Sequence, residues 1–219
     1  MNLILILNLW IFICSLIGSI YGIYHFYVKR SLFTQMATCS ILCLMFARLF
    51  QVVYLIAQGS LNIGFHVGIL GIIGSFMFLF SASYGQLDSL VDDGSKSFLK
   101  IRILSLTAPL LILLTYIYLY LNVSSIELRI VWAIVAFFIM QCSYYNFKHI
   151  IIYDVEYGII YVIKKYNILA LIYALLTMLE AIGLYTNIIP LYIASCIGIG
   201  IVALILLPVL KGGVAKWSL

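Results

Sequence analysis

The sequence predicts an all-α membrane protein: a seven-transmembrane-helix bundle with its N-terminus outside and its C-terminus inside. Three observations carry that prediction. The chain is 66% hydrophobic and only 9% charged over 219 residues, whereas soluble domains carry about 25% charged residues. Its apolar residues gather into seven runs, each close to the length of about 20 residues that crosses a bilayer. Its basic residues are one-sided. Ten of them (Lys29, Arg30, Lys96, Lys100, Arg102, Lys148, Lys164, Lys165, Lys211 and Lys216) fall on what becomes the inner side, against Arg129 alone on the outer side. Basic residues in short loops are retained inside, so the bias sets the orientation.

The runs lie near residues 2–28, 31–58, 64–85, 103–121, 129–147, 167–186 and 188–210. The first lacks a basic leader and a small-residue cleavage site and is too long for a signal-peptide core, so it reads as helix 1. It carries Ser15, Gly18, Ser19 and Gly22, and the third run carries Gly64, Gly68, Gly71, Ser75 and Ala82. Stripes of small residues predict close backbone packing, because in lipid no hydrophobic drive brings helices together. The fourth run holds Pro109 near its inner end and Tyr116, Tyr118 and Tyr120 near its outer end, where an aromatic belt sits. The seventh carries Ala194, Gly198 and Gly200 and stops at Lys211-Gly-Gly.

Between the runs the polar segments are short, so residues 1–219 read as a single polytopic membrane domain. Two inner segments are the most polar. Residues 86–102 contain Asp88, Asp92 and Asp93 followed by Lys96, Lys100 and Arg102, a composition that predicts a self-neutralising solvated loop. The aspartate spacing resembles the metal-diphosphate motifs of membrane prenyl- and alcohol-phosphotransferases, but the second acidic motif of those enzymes is missing. Residues 146–166 mix Lys148, His149, Asp154 and Glu156 with apolar stretches, which suits either an interfacial helix or an extension of helix 5 or 6.

Several function classes are excluded or disfavoured. The basic residues flank apolar runs instead of forming a face, so nucleic acid is not an expected partner. The five cysteines, Cys14, Cys39, Cys43, Cys142 and Cys196, all fall inside spans, where they behave as small hydrophobes. His25, His66 and His149 are spread over both membrane edges, which supports no haem pair or metal centre. No nucleophile elbow, zinc-protease motif or phosphate-cradling loop is present, so neither an enzyme nor a cofactor is expected.

At the level of layout the chain resembles three families. Seven helices with an outer N-terminus resemble the microbial rhodopsins, but the seventh run has no lysine before Lys211 to form a retinal Schiff base. Size and topology also resemble the small sugar transporters and related Pro-Gln-loop proteins, which imply three helices, a linker helix and three more in parallel orientation. None of Pro109, Pro190 and Pro208 is followed by Gln. The length is similar to that of the seven-helix sensor regions of bacterial histidine kinases.

Two ionisable residues lie deep in the spans, Arg48 and Glu180. An ionised side chain at membrane depth costs about 2.5 to 3.5 kcal/mol and by default faces the bundle interior with a partner. Arg48 is 18 residues past Arg30, and Glu180 is 15 past Lys165, so at about 1.5 Å per residue both lie some 22 to 27 Å outward. Tyr173, Thr177 and Asn187 are spaced to share a face with Glu180; Thr34, Thr38 and Met45 share one with Arg48, with Gln51 at its margin. These residues form the expected site: an ion pair across helices 2 and 6 lining an outward polar cavity. Two functions fit it. One is a receptor-like or regulatory protein that takes a small-molecule ligand outside and engages a protein partner through its inner loops. The other is a small-solute transporter built from two three-helix repeats. Either would reside in a plasma or bacterial inner membrane, with the lipid bilayer as its constant partner.

Overall fold

The computed structural model describes residues 2–29, 31–60, 64–88, 92, 94–152 and 157–210. Seven helices are long and apolar enough to cross a membrane: α1 (Asn2–Lys29), α2 (Leu32–Gln58), α3 (Val67–Ala82), α4 (Leu99–Asn122), α5 (Ile126–Ile151), α6 (Tyr157–Tyr185) and α7 (Ile189–Val209). No strand occurs among the described residues. The chain is a multi-pass membrane protein by that measure, in contact with the bilayer. Arg30, Asp93, Asp154, Glu156, Lys211 and Lys216 lie outside the described residues.

Helix ends are set by local chemistry. Gly59 closes α2 in the left-handed conformation (φ 67°), donating its N–H to the Leu55 carbonyl. Ser125 caps α5 by accepting from the Leu128 N–H, with Glu127 in the first turn of the helix. Pro190 stands at the start of α7, where its missing N–H costs nothing. Pro109 does the opposite inside α4. Its ring clashes with the carbonyl four residues back and removes one helical bond, and the span is accordingly two pieces, Leu99–Ser105 and Thr107–Asn122, meeting at Leu106. Among residues 146–166, the described ones extend the neighbouring spans. Residues 146–151 end α5, and residues 157–166 start α6, which begins about three turns earlier than hydropathy alone indicates, at Tyr157.

The helices form a ring. α1 packs on α2, α2 on α3, α3 on α5, α5 on α6, α6 on α7, and α7 closes on α1. α4 stands outside, against α5 and α6; 17% of its core window is buried, against 39% or more for every other span. The order of contacts is therefore the same in α1–α3 as in α5–α7, with α2 and α6 as the middle helix of each half. Large apolar side chains such as Ile6, Ile20, Ile56 and Leu121 point outward, while Asn8, Thr34, Ser40, Arg48, Ser75, Asn146 and Glu180 are buried inside. The small-residue stripes pack as expected: a Cβ on Gly71 would lie 2.8 Å from both the Ala47 Cβ and the Cys43 carbonyl oxygen, and one on Gly18 would strike the Ala203 carbonyl. α2 and α3, and likewise α1 and α7, approach at backbone distance there.

Candidate functional site

A buried polar side chain of the ring interior is costly unless another group satisfies it. At the third of the bundle nearest the start of α1, the solution is a cluster centred on Arg48. Its guanidinium forks onto Glu180: Nη1 donates to Oε1 at 2.6 Å and Nη2 donates to Oε2. Nη1 also donates to Asn8 Oδ1 at 3.0 Å and to Gln51 Oε1 at 3.0 Å. The Nε–H, buried with the rest, has no acceptor among the described residues. Arg48 is 2% exposed and Glu180 6%.

Two helices beyond α2 and α6, α1 and α7, complete the setting of the charges. α1 supplies Asn8, whose Nδ2 donates to the Ile4 carbonyl at 2.9 Å and to the Tyr192 hydroxyl at 3.4 Å. α7 supplies Tyr192 and, one turn on, Cys196, whose Sγ donates to Glu180 Oε1 at 3.8 Å. The residues expected from sequence divide accordingly. Arg48, Glu180 and Gln51 are brought together. Tyr173 lies two turns along α6 in a second polar contact, where its hydroxyl bonds Ser75 Oγ at 3.1 Å and Ser75 bonds Ser40 at 3.0 Å, tying α6, α3 and α2. Thr177 is buried, but its hydroxyl donates to the Tyr173 carbonyl at 2.9 Å and so serves its own helix.

Asn187 departs from expectation. α6 ends at Tyr185, and Asn187 adopts φ 59° in the turn to α7, so the helical spacing that aligned it with Glu180 no longer applies; it is exposed. The outward cavity differs as well: Arg48 and Glu180 are closed on each other and shielded from solvent. Asn8, Tyr192 and Cys196 escaped sequence reasoning. Asn8 had a signal, an amide inside an apolar run; Tyr192 and Cys196 read as ordinary helix 7 residues.

A second ionic cluster lies at the opposite end. Lys148 Nζ, 4% exposed, bridges Asp88 Oδ1 at 2.7 Å and Asp92 Oδ2 at 2.6 Å. His149 Nε2 lies 3.2 Å from the same Asp88 oxygen, and Arg102 binds Asp92 through Nε at 2.7 Å and through Nη2. A π-helical turn over Ser83–Asp88 carries Asp88 from the end of α3 toward α5. The segment is thus only partly self-neutralising, because Asp88 and Asp92 also pair with Lys148 and His149 of α5. The Asp92 carboxyl is held below the ordinary carboxylate range, chiefly by Arg102 and against the effect of burial. For Asp88, burial pulls upward, but the bonds from His149 and Lys148 win and its pKa is lowered. No group of three or more metal-ligating side chains occurs among the described residues. No family model, curated protein or solved structure matches the chain.

Proposed function

We propose that this protein is a small-solute transporter whose binding site is the Arg48–Glu180 cluster. The observation that carries the reading is positional. Arg48 stands on α2 and Glu180 on α6, and their side chains fork onto each other. They belong to the middle helices of two halves with the same contact order, and they meet in the interior between them. A site at the interface of two repeats, with rigid halves rocking around it, is the arrangement by which alternating access works. α4, outside the ring, then serves as the linker.

The pair is suited to the task because breaking it is costly and replacing it is not. A solute that takes over its hydrogen bonds lets the halves part; without one, the halves stay fastened. Counterflow in proteoliposomes containing only this protein tests the reading, with flux that disappears in the Arg48→Met and Glu180→Gln variants as the expected result. A receptor-like reading retains one specific support, the ionic cluster that ties the α3–α4 connection to α5 and could report a change inside the ring to a protein partner. Ligand binding without flux would favour it.

A further inference from the structure

The chemistry of the central cluster narrows the solute, given the transport reading on which this inference rests. A solute that enters between Arg48 and Glu180 separates two charges that are both shielded from water. An anion would satisfy Arg48 and strand Glu180. A cation would do the reverse, and a neutral molecule would leave both without a counter-charge. Stranding one member of a buried pair is what makes such pairs hard to break.

We propose that the site takes a small zwitterion, with its carboxylate on Arg48 and its primary ammonium on Glu180. The ion pair is then an internal stand-in for the solute. Three features support this. Asn8 Oδ1 and Gln51 Oε1 accept from Nη1 at 3.0 Å each, so the guanidinium stays held when Glu180 turns to an ammonium. The buried Nε–H lacks an acceptor among the described residues, and together with Nη2 it presents the forked edge that binds a carboxylate side-on. Among the described residues, the Glu180 carboxylate has one neutral donor beside Arg48, the Cys196 thiol at 3.8 Å, and so has capacity left for the N–H groups of an ammonium. The solute has to be small. Close by, a Cβ on Gly200 would strike the Trp10 indole, and one on Gly183 would lie 2.8 Å from the Tyr192 Cα, so the α1–α7 and α6–α7 walls are already in contact.

The test is a ligand series on the unmodified chain in nanodiscs, read by calorimetry and thermal shift. The probes are the twenty amino acids, β-alanine and 4-aminobutyrate, set against acetate, ethylammonium and an equimolar mixture of the two. At least one small zwitterion should bind at least about a hundredfold more tightly than the mixture, because joining the two charges makes the second contact intramolecular. Arg48→Lys, which keeps the charge and loses the fork, should weaken that binding about tenfold or more. Acetate binding as tightly as every zwitterion, or no zwitterion binding at all, overturns the inference. Counterflow of the bound zwitterion keeps the two readings distinct. Binding without flux sinks transport and leaves the zwitterion site standing, whereas flux of another solute without zwitterion binding does the opposite.

Discussion

The two ionic clusters are built from the same chemistry and differ in where they stand. At the Arg48 cluster one guanidinium and one carboxylate are enclosed by four helices, and the neutral amides of Asn8 and Gln51 complete the shell. At the opposite end Lys148, Arg102 and His149 share Asp88 and Asp92, and the side chains range from buried to 29% exposed for Arg102. The first offers each charge a single counter-charge; in the second, Asp92 has Arg102 and Lys148, and Asp88 has Lys148 and His149. The same contact therefore acts as a fastening in one place and as an adjustable lattice in the other. A buried pair is expensive to break from one side, although it need not stabilise more than an apolar replacement would.

That contrast can be broken by mutation, beginning with its largest effect. Arg48→Met and Glu180→Gln should each destabilise the bundle by about 3 to 5 kcal/mol, because each strands a buried partner, and the double variant should regain part of the loss. Unfolding in detergent measures the cycle; additive single effects would show that the two residues are not coupled. Gly71→Leu comes next, at about 1 to 3 kcal/mol for overpacking, since the added side chain must push α3 off the α2 backbone that carries Ala47 and Arg48. An unchanged melting temperature would mean that this approach does not fix the position of α2. Lys148→Met should cost less than the Arg48 change, about 1 to 2 kcal/mol, because Asp92 keeps Arg102 and Asp88 keeps His149. Equal losses at the two sites would erase the distinction between them.

The smallest effect is acid dependence. Asp88 and Asp92 have folded-state pKa values below the ordinary 3.8. Their contribution is therefore fully present above about pH 4 and is lost as pH falls from there through the lowered folded values. A pH titration of melting temperature should be flat on their account from pH 7 to 5, then fall below about pH 4. In Lys148→Met the fall should be shallower. A fall of the same size in that variant would place the acid-sensitive group elsewhere.

Most of the fold was legible because a bilayer leaves a helix few alternatives. Every span begins and ends close to where hydropathy puts it except α6, whose first turns are cut off from its apolar run by Lys164 and Lys165. The Arg48–Glu180 pair was legible too, since two lone charges at one depth have few other partners. What failed depended on geometry that periodicity does not contain. Helical spacing aligns Asn187 with Glu180 only if the helix continues, and it stops at Tyr185. The Asp88–Lys148 bridge joins residues 60 positions apart through a π-helical turn, and no spacing rule links them. Asn8 and Tyr192 entered the cluster because the ring closes α7 onto α1, a contact that no local pattern announces.

The peripheral place of α4 has a consequence of parity. Three crossings leave a chain on the side opposite to where it began, so a second three-helix unit joined directly to the first would be laid down upside down. One additional crossing restores the original direction. Without α4, α6 would run the other way through the membrane, and Glu180, near the end of its span, would sit at the far face from Arg48. The least buried helix of the molecule is thus the one that allows its two buried charges to meet.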